Sequence, residues 1–134
     1  MSAAIPPLDL AWLLMETPGG TTHVGAMLLF QKPPGRRALV SQVVADYRSR
    51  EPIRPFTYVP EILGAGMPHF QEAQTWDPHY HVQYLALPAG SSYDDLLRLV
   101  ADLHEPMLDR DRPLWRCWVF FFNDTATTEI YTKT

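Results

Sequence analysis

The sequence predicts an α/β layered fold, and three observations predict it. Apolar runs of strand length alternate with segments whose apolar residues recur at helical spacing. The resulting order of strand, helix, strand, helix, strand is that of layered α/β domains. Proline, glycine or a capping residue punctuates most of these segments. Hydrophobic residues make up 46% of the chain and charged residues 19%, a globular composition. A length of 134 residues suits one domain.

Taken in order, Asp9 is placed to cap a short apolar helix over Leu10–Met15, which Pro18-Gly19-Gly20 ends and which is expected to be mostly buried. His23–Gln31 is an apolar run closed by Pro33-Pro34-Gly35 and is expected to form a central strand, although its Ala, Met and Leu content leaves helix open. Between Arg37 and Arg50, Leu39, Val40, Val43, Val44 and Tyr47 recur at helical spacing, with arginines and Asp46 on the opposite side. This predicts an amphipathic helix covering a sheet. Glu51–Pro68 holds four prolines and two glycines and is expected to be irregular.

Two strands are expected around His69–Glu72 and His79–Leu87, separated by the turn Thr75-Trp76-Asp77-Pro78. Ser92 and Asp95 form a capping-box pattern ahead of Leu96, Leu97, Leu99, Val100 and Leu103, and Pro106 stops that helix. Trp115–Phe122 is a β-favouring run after Arg112-Pro113.

Asn123–Thr132 reads NDTATTEIYT, which is what a common sequencing-adapter oligonucleotide gives when translated in one frame. Residues 120–134 are therefore expected to be a non-native tail, and 1–119 the natural part.

A net charge of −4 and the lack of any basic cluster beyond Arg36-Arg37 argue against nucleic acid as a partner. The single cysteine, Cys117, forms no internal disulfide, so a cytoplasmic location is expected. Met1–Leu14 lacks a positive n-region and reads poorly as a signal peptide, and no apolar run approaches the ~20 residues of a spanning helix. Any contact with lipid is expected to be peripheral, at a membrane or lipid-droplet surface.

Three separated blocks carry a family resemblance. Pro7-Leu8-Asp9, Trp12-Leu13, Glu16 and His23-Val24-Gly25 are similar to an opening of the form PLD-x-x-F-L-x-x-E followed by M-H-V-G, with Trp12 for Phe and Thr22 for Met. Asp77-Pro78-His79-Tyr80-His81-Val82, running to Leu87-Pro88 and Gly90, resembles an FDL-x-x-H-V segment leading to an LP-x-x-G loop, with Pro78 for Leu. Leu103-His104 and Leu108-Asp109-Arg110-Asp111-Arg112-Pro113-Leu114-Trp115 closely resemble LH and LDR-x-RPLW. Together they resemble the bacterial wax ester synthase/acyl-CoA:diacylglycerol acyltransferases.

That resemblance implies the N-terminal part of a coenzyme A-dependent acyltransferase (chloramphenicol acetyltransferase-like) fold. It also implies an O-acyltransferase that joins acyl-CoA, as substrate rather than cofactor, to diacylglycerol or a fatty alcohol. In the family an HH-x-x-x-DG motif downstream of PLW supplies the base, its second histidine taking the proton of the attacking alcohol. None of His23, His69, His79, His81 and His104 is adjacent to another histidine, so no catalytic residue is assigned and the chain as given is expected to be inactive. Pro113, Leu114 and Trp115 carry over only as a structural or binding motif. The competing expectation is a small non-enzymatic lipid-binding or interaction domain. A nonribosomal condensation domain would share the histidine motif but neither the opening block nor LDR-x-RPLW.

Other chemistry-bearing residues have bland readings that fit better. His79 and His81 on a strand would share a face as half a metal site, but no Cys/His pair nearby completes a tetrahedral set, and an exposed His79 with a packed His81 is expected. Cys117 with His104 as base is outweighed by a buried small hydrophobe between tryptophans. Asp102, Glu105, Asp109 and Asp111 around Arg110 and Arg112 suggest an ion-paired loop before a phosphate clamp. The apolar stretches Leu10–Met15 and Ala26–Phe30 are expected to be core rather than tunnel lining or membrane contact.

Overall fold

The computed structural model describes residues 2–122 and 128–133, with side chains through Phe121. The elements are β1 (Ser2–Ala4), α1 (Pro7–Met15), β2 (Ala26–Gln31), α2 (Leu39–Ser49), β3 (Tyr58–Glu61), β4 (His69–Glu72), α3 (Pro78–His81), β5 (Val82–Ala86), α4 (Tyr93–His104), β6 (Cys117–Phe122) and β7 (Thr128–Lys133). They fall into two compact units.

The first unit comprises Met1–His23, Glu51–Trp76 and Glu105–Trp115. Its sheet has the order β1-β4-β3, antiparallel throughout, with Phe70 opposite Ala3 on one side and Pro60 on the other. The proline-rich connection is thus not wholly irregular, since Tyr58–Glu61 forms β3 beside β4. Pro60 fits there because β3 is an edge strand among the described residues, where a missing N–H costs no ladder bond.

Helix α1 begins two residues before the expected cap. Pro7 occupies the first helical position, where a missing N–H is harmless, and Asp9 lies inside the first turn rather than at the cap. The expectation of burial fails: α1 has no buried residue, and Leu8, Trp12, Leu14 and Met15 are all exposed. A helix apolar on nearly every side cannot hide every side chain against one neighbour, and its sequence does not say which neighbour is present.

The second unit comprises Val24–Arg50, Asp77–His104 and Arg116–Thr134. Its sheet has the order β2-β7-β6-β5, in which β5 and β6 run parallel and the other pairs antiparallel. Strand β2 lies at the edge of the described sheet, not its centre, with Leu28, Leu29 and Phe30 at least half exposed. A continuous apolar run identifies a strand but not its place in a sheet.

The parallel β5–α4–β6 crossover builds the core of this unit. Leu96 of α4, fully buried, packs with Leu87, Trp118 and Phe120, and Met27, Leu85, Leu99, Val100 and Leu103 close around them. Residues 118 and 120 of β6 point to this face, as period-2 alternation requires. On the other face α2 buries Val40 and Val44, near Tyr84 and Phe121. The amphipathic reading of 37–50 holds, except that Tyr47 is 43% exposed.

The capping box forms as read: Asp95 Oδ2 accepts from the Ser92 N–H at 2.8 Å, and the Asp95 N–H donates to Ser92 Oγ at 3.2 Å. Gly90 precedes it at φ +84°, a left-handed conformation that suits glycine, in a turn closed by the Ser91 N–H on the Pro88 carbonyl. Of the expected tail, Thr128–Lys133 forms β7, in register with β2 and β6, and 123–127 lie outside the described residues.

Candidate functional site

The residues of the first and third sequence blocks meet inside the first unit. Arg110 Nη2 lies 3.3 Å from Glu16 Oε2 and donates also to the Leu13 carbonyl at the end of α1. The Glu16 side chain is only 8% exposed, and Thr22 Oγ1 approaches the same oxygen at 3.5 Å while donating to the Trp12 carbonyl at 3.2 Å. His23 Nδ1 is 3.8 Å from the other carboxylate oxygen. A buried carboxylate needs opposite charge to offset its lost hydration, and Arg110 supplies it. Arginine suits this place because its planar fork reaches a carboxylate and a backbone carbonyl together.

The Pro113-Leu114-Trp115 motif closes the same loop. Pro113 is buried. Trp115 donates its indole N–H to the Phe56 carbonyl at 2.8 Å, stacks on Trp76 at 5.4 Å and meets the Phe56 ring edge-on at 6.3 Å. The strand starts at Cys117 rather than Trp115, so Trp115 belongs to an aromatic cluster and not to the sheet. Arg54 and Glu72 add an exposed pair at 2.6 Å, and the Arg54 hydrogen bond holds the Glu72 carboxyl below the usual glutamate range.

The ion-paired loop is only partly local. Arg112 pairs with Asp109 at 3.3 Å, and Asp109 accepts from the Asp111 N–H. Arg110 reaches past its neighbouring carboxylates to Glu16. Sequence reading missed this pairing because adjacency favoured Asp109 and Asp111; the signal was that Glu16 and Arg110 belong to two blocks of the same family pattern.

His79 and His81 lie on the one-turn helix α3, capped by Asp77 Oδ1 through the N–H groups of His79 and Tyr80, and not on a strand. Two positions apart on a helix point to different sides, so the shared-face argument for a metal pair is lost. His79 is exposed and His81 is 1% exposed, as expected. Cys117 is a buried residue of β6 opposite Val82, and His104 sits at the last turn of α4 beside a cavity lined by Met27, Val100 and Trp118. Leu10–Met15 has no buried residue, and of Ala26–Phe30 only the half-buried Met27 packs against the core.

The fold is shared with a solved enzyme. The wax ester synthase/diacylglycerol acyltransferase from Marinobacter aquaeolei superimposes with a TM-score of 0.87 at 28% identity, over 98% of this chain and 33% of that one. The fold is thus a partial coenzyme A-dependent acyltransferase (chloramphenicol acetyltransferase-like) domain of the α/β class. The epimerization domain from the third module of tyrocidine synthetase B shares the fold at a TM-score of 0.63 and 10% identity. Residues 5–120 match the wax ester synthase/diacylglycerol acyltransferase catalytic domain, and the chain belongs to that family. A probable diacylglycerol O-acyltransferase of Mycobacterium tuberculosis is 32% identical over 116 residues, covering 86% of this chain and 24% of that protein. A second one from the same organism is 32% identical over 134 residues, covering 95% of this chain and 29% of that protein. The chain therefore spans about a quarter to a third of the length of these relatives.

Proposed function

We propose that this chain supplies part of the catalytic domain of an O-acyltransferase that moves an acyl group from acyl-CoA to diacylglycerol or a long-chain alcohol. One observation carries the reading. Glu16 and His23 of the opening block and Arg110 of the LDR-x-RPLW block, far apart in sequence, come together in one buried cluster. The family pattern is thus a folded unit here and not a chance of spacing.

In this reaction a histidine of an HH-x-x-x-DG motif accepts the proton of the acceptor hydroxyl as its oxygen attacks the thioester carbonyl carbon. The C–O bond forms, the C–S bond breaks, and coenzyme A leaves as its thiol after taking up a proton. General-base assistance of this kind contributes typically about 10²–10⁴-fold. These 134 residues hold no such motif, so the chain by itself gives no ester. Pro113, Leu114 and Trp115 act as a structural prop, consistent with the buried proline and the tryptophan's backbone hydrogen bond. Among the described residues no helix is long and apolar enough to cross a membrane. The exposed Leu8, Trp12, Leu14 and Met15 support peripheral contact with lipid from the cytoplasmic side.

The test is a chimera in which residues 5–120 replace the matching segment of the Marinobacter enzyme. Ester formation from labelled acyl-CoA and diacylglycerol or a long-chain alcohol is expected from the chimera and not from the chain alone. A folded chimera without activity, or turnover by the chain alone, overturns the reading.

A further inference from the structure

Strand β2 is an open edge of the second sheet. Its inner side is taken by β7, and among the described residues no strand pairs with its outer side. Alternate residues of such a strand turn their N–H and C=O groups away from the sheet, a template for another strand. At β5, the opposite edge, the Arg48 Nε–H already takes up the Val82 carbonyl at 3.0 Å.

The sequence of β2 does nothing to blunt this edge. Ala26-Met27-Leu28-Leu29-Phe30-Gln31 carries no charge and no proline, and Lys32 and Pro33 come only after the strand ends. Met27 packs against the core on the α4 side of the sheet, so Leu29 shares that side and Leu28 and Phe30 take the other. Leu28 and Leu29 are each more than half exposed, so the strand shows apolar surface on both sides at once. A neighbouring strand covers both sides together through cross-strand pairs, whereas a helix or a lipid surface laid on the sheet covers only one.

A second copy of β2 fits this edge by symmetry and by charge. A twofold axis relating two antiparallel edge strands stands perpendicular to the sheet, so each side of the sheet continues across the junction and residues of one parity meet. With the axis at Leu28, that residue faces the partner's Leu28, Met27 faces the partner's Leu29, and Ala26 faces the partner's Phe30. The nearest charge, Lys32, then meets the partner's Val24, so no like charges oppose each other. Strand β7 runs along the other side of β2, and its residues stand away from the junction.

We propose that β2 pairs antiparallel with the β2 of a second copy of this chain, across a twofold axis at Leu28, to make one continuous sheet in a dimer. Ala26–Gln31 lies within residues 5–120, the part that matches the family. The proposal is independent of the transfer reaction.

The test is sedimentation equilibrium of the purified 134-residue chain at low salt, over about a hundredfold range of concentration in the micromolar region. A reversible monomer–dimer equilibrium is expected. Leu28→Lys sets two ammonium groups directly opposite each other and should weaken the dimer about tenfold, and Leu28→Glu should do the same with two carboxylates. An equal mixture of the two variants pairs lysine with glutamate and should associate more tightly than either alone. Circular dichroism confirms that the variants are folded, and Leu28→Arg with Leu28→Asp provides a second charge pair. A chain that stays monomeric, leaving the edge to the rest of a longer protein or to another partner, overturns the proposal. A folded lysine variant that associates like the parent, a mixture no tighter than its components, or growth beyond the dimer overturns it as well.

Discussion

Arg110 and Glu16 stand 94 positions apart in sequence and 3.3 Å apart in space, with the glutamate side chain 8% exposed. Each holds the other's segment: the carboxylate anchors the loop that carries Pro113-Leu114-Trp115, and the guanidinium also takes the carbonyl of Leu13.

Removing one partner leaves the other charge with its desolvation unrelieved. Arg110→Ala should lower stability by about 3 kcal/mol, at the low end of what breaking a buried pair costs, because Arg110 is itself 31% exposed. Glu16→Gln should cost less, and the double variant less than the sum, with a coupling of about 1–3 kcal/mol. Urea unfolding of the four proteins measures this, and additive losses would contradict it.

At Trp115 the indole N–H and the ring faces are separable. Trp115→Phe removes one hydrogen bond to the Phe56 carbonyl and should cost about 1 kcal/mol. Trp115→Ala also removes the stack on Trp76 and should cost about 3 kcal/mol or more. Urea unfolding of both variants measures the two losses, and equal losses would contradict the separation.

How far these relations could be read in advance depends on their range. The Ser92–Asp95 box, the apolar periodicity of α4 and the strand at 117–122 are local, so residue type and spacing were enough. What failed was long-range: β2 as an edge, α1 as an exposed helix, and Arg110 seeking Glu16 over Asp109. A strand run over His79 and His81 failed for a local reason, since Asp77-Pro78 caps and starts a helical turn before β5 begins.

The core of the second unit should be unforgiving. Leu96 is fully buried against Leu87, Trp118 and Phe120, and Leu96→Ala should cost about 3–4 kcal/mol, the transfer term plus the cavity left behind. A loss under ~1 kcal/mol in urea unfolding would contradict that packing.

Acid should loosen α4 at its first turn. The Ser92 backbone N–H, then its hydroxyl, hold the Asp95 carboxyl below the ordinary aspartate range. A carboxyl with a depressed native pKa stabilises the fold above its unfolded pKa, and the benefit is lost as pH falls through the native value. Asp95→Asn should therefore lower the urea midpoint at neutral pH, and the two proteins should converge in acid below the ordinary aspartate range. A difference that persists there would show that the carboxylate charge is not what the helix uses.

The order β2-β7-β6-β5 sets the sequence in which the second sheet can close. Parallel pairing of β5 with β6 requires only the intervening α4 crossover, but β2 finds its described neighbour in β7, where Ala26 faces Lys133. Contacts spanning roughly a hundred residues incur loop-closure entropy before they return any stability, and they form late. The β5–α4–β6 segment is the natural nucleus, and β2 is the piece that docks last and leaves first. Amide hydrogens of Ala26–Gln31 should exchange well before those of Cys117–Phe120, which places the earliest opening of this unit at β2.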